Sequence, residues 1–164
     1  MTQRRFNVLF LCIANSARSI MAEAIMNQKG FPNFTGFSAG SDPLGFVHPE
    51  ALRQIESGRM PTGVLRSKAW SEFGKPGAPK MDFVFTVCDK TAGEECPVWP
   101  GSPLTARWDV PDPAEVKGTP QQVQRAFFDA FRILDRRIAL FLSLPLATLE
   151  ATSVQKEIER IGRE

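Results

Sequence analysis

The stretch FNVLFLCIANSARSIMAEAIMNQKG (residues 6–30) holds a complete strand–turn–helix unit. Residues 6–13 form a nearly continuous apolar run with β-branched and aromatic side chains, the mark of a strand covered on both faces. Residues 13–17 form the turn, with small residues from Ala14 on and polar ones at Asn15 and Ser16. From residue 19 to 29, Ile20, Met21, Ala24 and Ile25 fall on one helical stripe, and Gly30 stands where a C-terminal cap belongs. A buried strand followed at once by a helix is the first half of a βαβ unit.

The rest of the chain continues that pattern. DFVFTVC (82–88) repeats the buried-strand signal, FTGFSAG (34–40) is a weaker strand, and SPLTARWDV (102–110) is mixed enough that only part of it should pair. HPEALRQIESG (48–58) opens a helix with proline in its first turn and closes it with glycine. The longest helix is predicted to begin at Thr119, with Pro120 next and Gln122 completing a capping box. Val123, Phe127, Phe131, Leu134, Ile138 and Phe141 carry its apolar face until Pro145 ends it. Residues 152–161 are amphipathic but charged and are expected to form a helix on the surface. Strands alternating with helices imply an α/β fold with a parallel sheet and right-handed crossovers. The segment GKPGAPK (74–80) is a loop rather than a boundary, since the strand after it must join the same sheet. Residues 1–164 are therefore expected to form a single domain, as the length also suggests.

Composition excludes several classes. The net charge of +2 comes from scattered basic residues, which argues against nucleic acid as a partner. No apolar run approaches the ~20 residues needed to cross a bilayer. The start MTQRRFNVLFLCIAN has the basic-then-apolar order of a leader, but its apolar part is short and lacks a small-residue cleavage site, so a strand is the better reading. Three sparse cysteines do not make a disulfide scaffold, and reduced thiols in a cytoplasmic setting are expected. His48 is the only histidine, so no metal site is expected, and its place is in the turn that opens the second helix. Trp99 and Trp108 are read as packing anchors.

The chemistry concentrates at Cys12. It ends a strand, a turn follows, and Arg18 and Ser19 begin a helix. Successive backbone N–H groups in such a turn face a common concavity, and the helix N-terminus adds partial positive charge. Arg18 can close the ring with a planar fork that pairs two oxygens of a tetrahedral oxyanion. The same field should draw the Cys12 thiol below its usual pKa of about 8.5. Ser19 is placed to donate to the thiolate, and Asn15 to brace the loop through its amide. A lone cysteine at the end of an apolar strand is more often inert packing. Here the strand before it, the helix after it and the small polar residues between favour a nucleophile.

CIANSARSIMAEA (12–24) resembles the active-site loop of the low-molecular-weight protein tyrosine phosphatases and of the arsenate reductases that share their fold. GFSAGSDPLGFVHPEAL (36–52), FVFTVCDKTAGEECPVWPG (83–101) and WDVPDPA (108–114) resemble arsenate-reductase segments in the same order, so the likeness covers residues 6 to about 115. It implies a three-layer α/β sandwich whose four-stranded parallel sheet, in the order 2-1-3-4, is flanked by helices. It implies Cys12 as nucleophile, Ile13, Ala14, Asn15, Ser16, Ala17 and Arg18 as the oxyanion loop, and Asp112 as general acid. That last role also makes chemical sense, because an oxygen displaced by a thiolate leaves badly unless it is protonated. By itself Asp112 in P-D-P would read as a turn cap.

Cys88 and Cys96 separate the two activities in this resemblance. A phosphatase needs only Cys12, Arg18, Asp112 and a water, hydrolysing phosphate monoesters through a Cys12 phosphoenzyme. A reductase of this type passes a disulfide from Cys12–Cys88 to Cys88–Cys96, with no bound cofactor and an external thiol reductant such as thioredoxin or glutaredoxin. Cys88 ends the second strong strand as Cys12 ends the first, and Cys96 lies in the glycine-containing loop that follows. Each could be incidental, one packed and one merely in a loop. The related phosphatases usually carry tyrosine after D-P, whereas this chain has Ala114 and no tyrosine at all.

Three departures from the family pattern stand out. Ala14 replaces a usual glycine, and Ala17 a residue that is often cysteine in such reductases. Some relatives bind potassium beside the loop through Asn, Glu, Ser and Asp groups. Asn15, Glu23 and Ser38 match these, but Lys68 stands where the aspartate would be. Its ammonium can substitute for the cation, so no potassium is expected; a solvated lysine is the alternative.

Overall fold

A computed structural model describes residues 5–88, 99 and 102–164. The strands are β1 (Phe6–Cys12), β2 (Phe34–Gly40), β3 (Phe83–Thr86) and β4 (Leu104–Arg107), and the helices are α1 (Arg18–Lys29), α2 (Pro49–Ser57), α3 (Pro120–Leu142) and α4 (Ala151–Ile161). The strands form one sheet in the order β2-β1-β3-β4, and every neighbouring pair is parallel. This is the expected architecture.

β1 is central, which explains its lack of alternation. Val8, Phe10 and Cys12 face one side with α1, α3 and α4, while Leu9 and Leu11 face the other with Phe73, Met81, Val84 and Trp99. The second face is closed in part by a 3-10 turn at Trp70–Phe73. Trp99 and Trp108 thus fall on opposite faces. Trp108 is stacked on Phe85 at 3.8 Å and 13°.

Local signals set the helix ends. Gly30 sits at the C-cap of α1, and its N–H returns to the Met26 carbonyl. His48 is the N-cap of α2, its Nδ1 accepting from Glu50 N, so the ring carries its proton on Nε2. Thr119 and Gln122 close a reciprocal capping box at α3. α3 ends at Leu142, just short of Pro145. β3 is shorter than the 82–88 run suggested and ends at Thr86, although Val87 N still donates to Leu11 O at 2.9 Å.

α4 differs from the surface helix expected of it. Val154, Ile158 and Ile161 are buried in the main core, and the helix packs against the edge strand β4. The Trp108 indole N–H donates to Ile158 O at 2.9 Å, and Gln155 Nε2 donates to Thr105 O at 2.8 Å. Its charges are the outer face of a docked element. The helix thereby shields part of an edge that would otherwise present unpaired backbone groups.

Register places the site. Cys12 pairs with Gly40 of β2, and Leu11 with Thr86 of β3, so the carboxyl ends of three strands finish level. Loops leaving that edge converge on one crevice.

Candidate active site

The loop after β1 is built by turning its carbonyls outward. Cys12 O, Ile13 O, Ala14 O and Ser16 O accept from the amides of Ser41, Asp42, Leu44 and His48, at 3.3, 2.9, 3.0 and 2.9 Å. With those oxygens committed to the 41–48 segment, the loop's own amides are left for the concave side. That of Ile13 donates to the Cys12 sulfur. The loop passes so close to β2 that a Cβ on Gly40 would lie 2.3 Å from Ile13 O. Only glycine fits there.

Asn15, not position 14, takes the left-handed backbone conformation, with φ at 43°. Asparagine tolerates that region better than most residues, and here it is locked by its side chain. Nδ2 donates to Ser19 Oγ at 2.8 Å, and Oδ1 accepts from Lys68 N at 2.8 Å. Asn15 braces the loop as expected, and Ala14 in place of glycine carries no positive φ. Ser19, accepting from Asn15, retains its hydroxyl proton for donation. Ala17 precedes α1 as its N-cap and provides no side-chain cap.

Arg18 is 7% exposed. Its Nη1 donates to Val110 O at 2.8 Å, and its Nη2 lies 3.4 Å from Asp112 Oδ2. The guanidinium therefore joins the anion loop to the loop carrying Asp112. Val110 was not legible as a functional residue, since its contribution is a main-chain oxygen. Asp112 also caps the 3-10 turn Pro113–Glu115, Oδ1 accepting from Ala114 N at 3.0 Å. Asp112 thus caps the turn with one oxygen and faces Arg18 with the other. Arg18, Val110, Asp112 and Val116 line a common surface cavity.

Cys12 and Cys88 are both buried, both reduced and hydrogen-bonded to each other. The register of β1 against β3 brings the second thiol to the first. Cys12 departs from the thiolate expected of the loop alone. The hydrogen bond with Cys88 and then burial push its pKa up from its ordinary value, while Arg18 and the Ile13 amide pull it down. Two thiols in one dry site with one guanidinium beside them hold at most one negative charge readily, and they titrate as a pair. Cys96 lies outside the described residues.

Lys68 is buried, not solvated. Its Nζ donates to Arg66 O at 2.7 Å and to Ser38 Oγ at 3.3 Å, and pairs with Glu23 Oε1 at 3.5 Å. Ser38 Oγ in turn donates to Glu23 at 2.5 Å. Burial lowers the lysine's pKa and raises the carboxyl's, and in each case their mutual attraction opposes the shift. The ammonium sits against the oxygens of Glu23 and Ser38, so the group does not fit a potassium ion. Among the described residues no cluster of three or more His, Cys, Asp or Glu groups could hold a metal.

Residues 7–156 match the family described as low molecular weight phosphotyrosine protein phosphatase, leaving the last turn of α4 and the C-terminal residues outside the match. The chain is 30% identical to an arsenate reductase of Bacillus licheniformis, over 76% of this chain and 86% of that protein. A thioredoxin-dependent arsenate reductase of Corynebacterium glutamicum has a similar structure, with a TM-score of 0.55 at 23% identity, covering 85% of this chain and 65% of that one. So has Vibrio vulnificus Wzb in complex with benzylphosphonate, with a TM-score of 0.64 at 17% identity, covering 84% of this chain and 97% of that one.

Proposed function

The chain belongs to the low molecular weight phosphotyrosine protein phosphatase family, and from that premise we propose that it reduces arsenate to arsenite through a relay of its three cysteines. One observation carries this reading: a second buried thiol, Cys88, is hydrogen-bonded to Cys12 beside Arg18. Phosphate-ester hydrolysis has no use for that thiol, whereas reduction requires it. The similarity to arsenate reductases points the same way.

In the proposed reaction Arg18 and the loop amides from Ile13 to Arg18 hold the arsenate oxygens. The Cys12 thiolate attacks arsenic, an As–O bond breaks, and Asp112 protonates the oxygen, which leaves as water. Ser19 donates to the Cys12 sulfur while it carries charge. The Cys88 thiolate then attacks the Cys12 sulfur. The electron pair of the S–As bond passes to arsenic, which leaves as arsenite, and the two cysteines are oxidised to a disulfide. Cys96 attacks Cys88 and frees Cys12, and an external dithiol, thioredoxin or glutaredoxin, reduces the Cys88–Cys96 disulfide. A cytoplasmic location suits thiols that must be returned to the reduced state.

The test is to incubate reduced protein with arsenate and map disulfides by mass spectrometry, then measure arsenate-dependent NADPH oxidation with thioredoxin and glutaredoxin systems supplied separately. Expected are a Cys12–Cys88 disulfide in C96S protein and a Cys88–Cys96 disulfide in the parent. Three free thiols with no arsenite formed would overturn the reading. The family match favours one second reading, a phosphatase working through a Cys12 phosphoenzyme. Aryl-phosphate turnover that survives replacement of both Cys88 and Cys96 by serine, without arsenate reduction, would establish it.

A further inference from the structure

The loop carrying Asp112 leaves β4 through residues 108–111, and two buried arginines grip adjacent carbonyls there. Arg18 takes Val110 O from the anion-loop side at 2.8 Å. Arg137, on α3, takes the neighbouring Asp109 O with Nη1 at 2.9 Å. Arg137 is only 7% exposed, and its Nη2 reaches the Glu164 main-chain oxygen at 3.4 Å. Glu164 is itself held by Arg160 and Arg136, at 3.0 and 3.7 Å. α4 closes on the same stem: Ile158 O receives the Trp108 indole, and a Cβ on Gly162 would lie 2.2 Å from Arg107 O.

Burying a guanidinium is costly unless its donors are satisfied, and the Nε of Arg137 has no partner among the described residues. An apolar residue would fill the same space without that penalty. What Arg137 adds is a fixed distance between α3, the Glu164 main chain and the Asp109 carbonyl. The Asp109–Val110 segment is held on one side by the residue that grips the oxyanion, and on the other by α3 and α4. Val110 N is also tied to Val87 O at 3.0 Å, one residue before Cys88.

We propose that Arg137, anchored by Glu164 just beyond α4, is a positioning residue for the general acid, holding the Asp109–Val110 stem so that Asp112 and Arg18 address the same oxyanion. Resting on Asp112 as the proton donor, the proposal accounts for α4 docking on β4 at the root of that loop. Arg137 touches no reacting atom. It acts by restricting where the Asp112 carboxyl can stand, and small errors there reduce proton transfer steeply.

The test is a double-mutant cycle on R137M and D112N, measuring single-turnover arsenite formation and kcat and KM for arsenate, with urea midpoints taken in the same buffer. D112N alone should slow the chemical step by about 10²–10⁴-fold, the usual worth of a general acid. R137M should lower kcat about tenfold, a part of that same contribution, with little change in KM. In the D112N background it should have no further effect, because the acid it positions is gone. If R137M does not fold, R137K, which keeps the charge but loses the fork, carries the same cycle. Equal losses from the Arg137 substitution in both backgrounds, or no loss in the parent, would overturn the proposal. If D112N itself leaves turnover unchanged, the assignment of Asp112 as the acid falls instead, and the positioning role falls with it.

Discussion

At Lys68 an ammonium is buried against a carboxylate whose charged form burial disfavours. Replacing it in K68M leaves Glu23 with Ser38 and only the weaker pull of Arg66, and breaking a buried pair in this way destabilises by about 3–5 kcal/mol near neutral pH. The loss has a definite pH dependence. The folded pKa of Glu23 is already raised by burial and rises further once Lys68 no longer attracts the carboxylate. Between the unfolded and folded values the folded carboxyl holds a proton that the unfolded chain releases, so the variant loses stability as pH rises through that window. Its deficit against the parent should therefore be larger at a mildly alkaline pH than at an acidic pH close to the ordinary carboxylate value. Urea midpoints at the two pH values measure it; a deficit equal at both would mean that Lys68 does not neutralise Glu23. The Lys68 amide also fixes Asn15. Lys68 thus links charge balance to loop shape.

At the scale of elements, the anion loop takes its form from its neighbours as much as from its own residues. Four of its carbonyls are held by the segment after β2, and β2 itself ends in a glycine pressed against Ile13 O. In G40A the added methyl must push that carbonyl away, which turns the Ile13 peptide and weakens the cup. Overpacking of this kind destabilises by about 1–3 kcal/mol. Phosphate and arsenate affinity should fall as well, read as a raised Kd by calorimetry. Unchanged affinity with reduced stability would show that the loop tolerates displacement at Ile13. Much at this scale was legible beforehand: the strand of residues 6–13, the turn, the helix with Gly30 as cap, and the capping box at Thr119. These depend on residues a few positions apart, where periodicity and capping act. The docking of α4 was not legible, because its apolar residues Val154, Ile158 and Ile161 are the same whether the partner is this sheet or another surface.

For the whole molecule, an oxyanion bound at the loop joins β1, α1 and the Asp112 loop, and none of those contacts survives unfolding. Ligand that binds only the folded state stabilises by linkage, by about 2.7 kcal/mol at a hundredfold excess over Kd. Phosphate or arsenate should therefore raise the Tm of the parent in a concentration-dependent way, and R18A should abolish the rise. A Tm increase that persists in R18A would place the anion elsewhere. The strand, turn and helix that carry Cys12 and Arg18, and the α/β order, could be read from the sequence because their periodicities are local. Tertiary structure alone decided that Cys88 meets Cys12, that the Cys12 pKa is raised, that Lys68 pairs with Glu23 and that Arg137 reaches Asp109 O. Each of these depends on the parallel register of the sheet or on helices docked against it, which bring together groups far apart in the chain and strip them of water.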